Sequence, residues 1–133
     1  MTEDTIRLYL VDDQAMIRAS MRSLLGGQGH FEVVGDHDDA RAAVDEVERL
    51  RPDVILLDIT MPGLSGIDAI SMFRKVHRDV KVVMLTHHEG ESFVKQALDA
   101  GADGYLSKDS DPEELGVALR AVVQGNPFIS PKV

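Results

Sequence analysis

Five short apolar runs alternate with amphipathic segments along this chain, and that alternation leaves few folds open. The runs are Ile6–Val11, Phe31–Gly35, Val54–Leu57, Lys81–Leu85 and Gly104–Ser107. Each has strand length and is bounded by turn residues. Between them, apolar residues recur at helical spacing. Ile17, Met21, Leu24 and Leu25 form one stripe, and Ala40, Ala43, Val44 and Val47 form the next. Ala69, Ile70, Phe73 and Val76, then Val94, Ala97 and Leu98, then Leu115, Ala118, Leu119 and Val122 complete the series. Asp111 suits the N-cap of the last helix and Pro112 its first turn, while Gly26-Gly27, Gly101 and Gly125 punctuate helix ends. Five β-α units in series predict a doubly wound α/β fold, a five-stranded parallel sheet with helices on both faces.

The runs end in a telling way. Val54-Ile55-Leu56-Leu57 stops at Asp58 and is followed by Ile59-Thr60-Met61-Pro62-Gly63. A carboxylate inside such a strand is costly to bury, so the strand should deliver Asp58 to the sheet rim, where Pro62-Gly63 turns the chain. Leu8-Tyr9-Leu10-Val11 likewise ends in Asp12-Asp13, Val82-Val83-Met84-Leu85 in Thr86, and Gly104-Tyr105-Leu106-Ser107 in Lys108. Open parallel sheets bind ligands outside the carboxyl ends of their strands. Asp12, Asp13, Asp58, Thr86 and Lys108 therefore form a candidate site.

The chemistry of that set is coherent. Three converging carboxylates repel one another, and a hard divalent cation such as Mg²⁺ relieves the repulsion through oxygen ligands. A carboxylate also accepts phosphoryl groups as a nucleophile, with cations and donors placed around the phosphoryl oxygens. Mg²⁺ and Lys108 supply the charge and the Thr86 hydroxyl a hydrogen bond. Each residue taken singly has a plainer reading. Asp12-Asp13 can cap the helix that starts near Gln14, Thr86 can simply end its strand, and Lys108 can be a solvated loop lysine. Asp58 is the hardest to explain that way, and the joint placement favours a site.

Composition narrows the functional classes. The 133 residues suit one domain with a sizeable core, and a net charge of −9 argues against affinity for nucleic-acid phosphates. With no cysteine there are no disulfides or thiolate metal sites. No apolar stretch approaches bilayer-spanning length and the acidic N-terminus lacks a signal-peptide core, so the expectation is a cytoplasmic protein without membrane partners.

Together, Val11-Asp12-Asp13, Asp58-Ile59-Thr60-Met61-Pro62-Gly63-Leu64-Ser65-Gly66, Thr86 and Lys108 resemble the response-regulator receiver domains of two-component signalling. The resemblance covers residues 5–125 and implies the flavodoxin-like (CheY-like) strand order 2-1-3-4-5. It implies that Asp58 is the phosphoacceptor for a sensor histidine kinase. It places Mg²⁺ on Asp13, Asp58 and the backbone carbonyl of Thr60, with Asp12 acting through water. Thr86 and Tyr105 take switch roles, Tyr105 turning inward as Thr86 moves toward the phosphate, and Thr60, His87 and His88 tune the site. His88-Glu89, the run Gly101–Asp109 and the ending Gly125-Asn126-Pro127-Phe128-Ile129-Ser130-Pro131 resemble NarL/FixJ-type regulators. Those usually carry a LuxR-like helix-turn-helix domain after this point, so DNA would be reached only through a C-terminal domain, with a free-standing receiver as the alternative. Residues 126–133 then read as a surface tail or the start of a linker, and Phe128, Ile129 and the last helix offer contact residues for a homodimer.

Two alternative functions stay open at this level. A Mg²⁺-dependent phosphohydrolase on a similar scaffold often carries a second Asp two positions after its nucleophile, and here that position is Thr60. A degenerate receiver that binds partners without phosphate would not need the full acidic and basic set. The chain also departs from the common receiver pattern in two places. Asp109 follows Lys108 where proline is frequent, which makes a cis peptide bond there less assured. His87 follows Thr86 where a small residue is common, and its bulk should slow turnover of the phosphorylated form. His87→Ala is expected to shorten the aspartyl-phosphate lifetime; an unchanged lifetime would remove this role.

Overall fold

The computed structural model describes residues 5–28, 30–58, 66–86, 91–108 and 112–129. The elements run β1 (Ile6–Val11), α1 (Ala15–Gly26), β2 (Phe31–His37), α2 (Ala40–Leu50), β3 (Val54–Asp58) and α3 (Gly66–Val76). They continue as β4 (Lys81–Thr86), α4 (Glu91–Asp99), β5 (Gly104–Ser107), α5 (Pro112–Val123) and β6 (Phe128–Ile129). The sheet is parallel throughout, in the order β2-β1-β3-β4-β5-β6.

The expected count of five strands is therefore corrected to six. The sixth lies in the segment that reads as a tail. Gly125 takes φ +91°, a conformation that favours glycine, and turns the chain off α5. The Asn126 amide then donates to the Ala121 carbonyl and the Phe128 amide to the Asp103 carbonyl. Phe128 and Ile129 fall opposite Gly104 and Tyr105, and the Phe128 ring packs on the core. A Cβ at position 104 would stand 3.1 Å from the Phe128 carbonyl oxygen, so a larger residue there would press on β6 and need it to give by a few tenths of an ångström.

Side chains alternate across the sheet with period two. Tyr9, Val11, Ile55, Leu57, Val82, Met84 and Tyr105 face α2, α3 and α4. Leu8, Leu10, Leu56, Val83, Leu85 and Leu106 face α1 and α5. Both faces are covered, which is why β3 could be apolar at every position before Asp58. Burying a side chain such as Phe73 or Leu119 contributes about 1.5–3 kcal/mol. The stripes expected on α2, α3 and α5 face the core, with Val44 and Val76 at its margin. On α1 the stripe is narrower than its spacing suggested. Met21 and Leu25 are buried and Ile17 packs against them, whereas Leu24 is 40% exposed, since it lies a full 100° around the helix from Leu25.

Tyr9 carries a polar group into this interior. Tyr9 is fully buried, and its hydroxyl donates to Glu46 Oε1 at 2.5 Å. Its ring fills the space beside Gly35, where a Cβ would meet a Tyr9 ring carbon at 2.8 Å. Burial, then the Glu46 hydrogen bond and charge, push the phenol well above its ordinary value. The folded state thus holds this proton more tightly than the unfolded chain, whose tyrosines ionise near pH 10. The stability it contributes is full below about pH 10 and declines as pH rises above it. Tyr9→Phe is expected to flatten the fall in stability between about pH 10 and 11.5, measured by denaturant unfolding; an unchanged slope would exclude Tyr9 as its source.

Candidate functional site

The period of the sheet explains why the predicted acids and the lysine meet. Leu10, Leu56 and Leu106 point to the α1–α5 face, and Asp12, Asp58 and Lys108 each follow two residues later with the same parity. Leu10 pairs with Leu56 and Val11 with Leu57, so Asp12 and Asp58 emerge side by side one step further on. β4 separates β3 from β5, and the lysine's four-carbon stem spans the end of β4. The ammonium arrives 3.0 Å from Asp12 Oδ2 and 3.3 Å from Asp58 Oδ2.

All three of these side chains are almost wholly out of water, Asp12 being 4% exposed and Asp58 3%. Lys108 is therefore not a solvated loop lysine. Asp13 is exposed, and carboxylate oxygens of Asp12, Asp13 and Asp58 all lie within 4.8 Å of one another. Among the described residues, three carboxylates share one ammonium, which leaves two negative charges in excess. The fixed contacts of Asp12 divide the labour between its two oxygens. Oδ1 accepts from the Gln14 amide at 2.8 Å, closing the turn into α1 as a capping residue would. Oδ2 lies off the hydrogen-bond direction from Lys108 and has no aligned donor among the described residues. A buried carboxylate oxygen with an ion-pair partner but no aligned hydrogen bond, beside two further carboxylates, suits a hard cation. The all-oxygen donor set fits Mg²⁺ and no thiophilic metal.

Thr86 is the last residue of β4, in register with Ser107 of β5. Tyr105 is fully buried within the cluster that packs α3 and α4 on the sheet. Thr60, His87, His88, Asp109 and Asp111 lie outside the described residues. Two polar residues that the sequence reading passed over also belong here. Gln14 Oε1 accepts from the Lys108 ammonium at 3.3 Å. Arg18 reaches the Asp12 backbone from α1. The available signal was their position, directly after the acidic pair and one helical turn further on.

Comparison with known proteins agrees with this geometry. The family model described as response regulator receiver domain matches residues 8–120. The chain belongs to that family. It is 40% identical over 131 residues to the transcriptional regulatory protein DegU of Brevibacillus brevis, covering 98% of this chain and 56% of that protein. It is 41% identical over 127 residues to the nitrate/nitrite response regulator NarP of Escherichia coli, covering 96% of this chain and 59% of the relative. The receiver thus spans less than two thirds of these relatives. Among solved structures, a LuxR-family two-component response regulator from an Aurantimonas species superimposes with TM-score 0.90 at 35% identity, covering 96% of this chain and 91% of that one. The signal receiver domain of a NarL from Mycobacterium tuberculosis gives TM-score 0.86 at 32% identity, covering 92% and 99%. Receiver domains generally bind Mg²⁺ at an acidic pocket and work with a kinase, and this receiver has the acidic cluster.

The buried charges make the lysine a structural as well as a chemical element. Removing one partner from a buried ion pair costs about 3–5 kcal/mol, because the other charge stays behind without compensation. Lys108→Met is expected to destabilise the receiver by that order in metal-free buffer, and adding Asp12→Asn should recover part of the loss. Urea unfolding of the single and double variants measures both, and a loss below about 1 kcal/mol would show that water reaches the carboxylates freely.

Proposed function

We propose that this receiver is the phosphoacceptor module of a two-component response regulator, phosphorylated on Asp58 by a sensor histidine kinase with Mg²⁺ as cofactor. The observation that carries the reading is the convergence of Asp12, Asp13, Asp58 and Lys108 at the carboxyl ends of three strands. Mg²⁺, when bound, neutralises charge on the transferred phosphoryl group. Asp13 and Asp58 would hold it, with the Thr60 carbonyl, and Asp12 would act through water.

The remaining chemistry is assigned to the chain's own residues. An Asp58 carboxylate oxygen attacks phosphorus as the bond from phosphorus to the donor's leaving atom breaks, and the leaving group departs with the bonding electrons. Lys108, already beside Asp58, holds charge on a phosphoryl oxygen, and the Thr86 hydroxyl donates to another. The linkage is undone by water, so the receiver modifies itself and turns over no external substrate. Thr60 stands where a phosphohydrolase would place its second acid, which counts against that alternative. The output is a shift between two pre-existing arrangements involving Thr86 and Tyr105, with Thr60, His87 and His88 setting its lifetime.

The wider role follows the relatives. DegU is named a transcriptional regulatory protein and NarP a response regulator, and this chain covers 56% and 59% of them. On that basis the receiver would control transcription through a DNA-binding domain outside this chain, and a cytoplasmic location and a homodimer belong to the same proposal. No described helix is long and apolar enough to cross a membrane.

Intact-mass spectrometry after incubation with acetyl phosphate and Mg²⁺ tests the core of this reading. A single phosphoryl adduct is expected, absent when Mg²⁺ is chelated and absent in Asp58→Asn. No adduct, together with no binding of BeF₃⁻ and Mg²⁺, would instead identify a phosphate-independent interaction domain. Steady hydrolysis of a small phosphate ester would favour the phosphohydrolase.

A further inference from the structure

Arg18 is the one charged side chain of α1 that touches the backbone of the acidic pair. Its Nη1 donates to the Asp12 carbonyl oxygen at 2.6 Å, while its Nε lies 3.3 Å from Asp36 Oδ1. The second oxygen of Asp36 takes the Arg22 Nε at 2.6 Å. Asp36 sits on β2 in register with Leu10, so it anchors the guanidinium from the neighbouring strand. The Arg18 side chain is 19% exposed and lines a cavity of about 10 Å³, room for roughly one water, which Asp12 and Asp58 also line.

The carbonyl that Arg18 holds belongs to the peptide joining Asp12 to Asp13. That peptide is planar, so fixing its oxygen fixes the direction in which the chain enters Asp13. Two other groups of Asp12 are already tied. Its amide donates to the His37 carbonyl at 3.1 Å, and its Oδ1 accepts from the Gln14 amide. Asp13 has no such burial to hold it, being the exposed member of the cluster. The planar guanidinium is suited to this task, because it can present one N–H to the carbonyl while another edge is fixed by Asp36.

We infer that Arg18, anchored by Asp36, is a positioning residue that aims Asp13 at the cation site, acting through the Asp12–Asp13 peptide and not through its charge. This rests on the reading of the pocket as a Mg²⁺ site. Charge alone would have the opposite effect, since a guanidinium near the pocket repels a divalent cation. The two roles therefore separate by sign.

The test is a Mg²⁺ titration of the wild-type chain, Arg18→Lys and Arg18→Met, followed by backbone-amide NMR shifts, beside thermal unfolding of each. Loss of outer-shell partners weakens metal binding by 10- to 100-fold in other sites, and about 10-fold is expected here for Arg18→Lys, which keeps the charge but loses the fork. Arg18→Met should bind Mg²⁺ at least as weakly despite losing a repelling charge. Unchanged affinity in Arg18→Lys, or tighter binding in Arg18→Met, would overturn positioning in favour of charge. Unchanged affinity in both with a lowered Tm would leave Arg18 a purely structural residue and overturn it as well. If the wild-type chain itself takes up no Mg²⁺, the reading of the pocket fails and the inference falls with it. Binding that is equal in all three sinks the inference alone.

Discussion

A single ammonium holds two carboxylates almost out of water at the rim of the sheet, and the rest of the molecule is arranged so that this is tolerable. Desolvating each charge costs several kcal/mol, and attraction at about 3 Å offsets that only if the geometry is fixed. The fixing comes from the sheet. Asp12, Asp58 and Lys108 inherit their direction from Leu10, Leu56 and Leu106, so the same alternation that fills the α1–α5 core also aims the site. The apolar layer beneath and the charged layer above are successive rungs of one ladder.

This explains why so much of the architecture was legible in the sequence. Runs of Val, Ile and Leu with no polar alternation can only be strands covered on both sides, and Asp58 ending such a run has few uses that justify its position. The boundaries of β1 and β5 and the buried stripes of α2 and α5 follow from spacing alone. What spacing does not carry is pairing between polar groups that are distant in sequence. Gln14 and Arg18 read as ordinary helix-surface residues, because nothing in a one-dimensional pattern shows that Lys108 or the Asp12 carbonyl will stand beside them. Leu24 failed for a related reason, as a stripe of four admits two adjacent residues that a helix must splay apart.

The two sides of the sheet also differ in what they are built to resist. On the α2–α4 face Tyr9 is a neutral polar intrusion whose hydroxyl is satisfied by Glu46 at the margin. Nearby, Arg74 ties α3 to the start of β5, donating to the Gly101 carbonyl and pairing with Asp103, which also accepts from the Val82 amide. These contacts are closed and complete, as buried polar groups must be in a stable layer. The acid pocket is the exception, with an Asp12 oxygen lacking an aligned donor and negative charge in surplus. Among the described residues, Asp12 Oδ2 is the buried side-chain oxygen without a hydrogen bond, and it stands at the rim where the acids converge.

The short sixth strand bears on how such a sheet avoids its own kind. Parallel strands expose hydrogen-bonding edges, and a bare apolar edge is a template on which other chains can add. Without β6 that edge would be β5, whose Gly-Tyr-Leu-Ser backbone is buried in the folded chain. Two residues introduced by Pro127, which has no N–H to offer, cover its first half. The sheet therefore runs past the end of the last helix to Phe128 and Ile129, and a chain cut after Gly125 would lay the first half of β5 bare as an open flank.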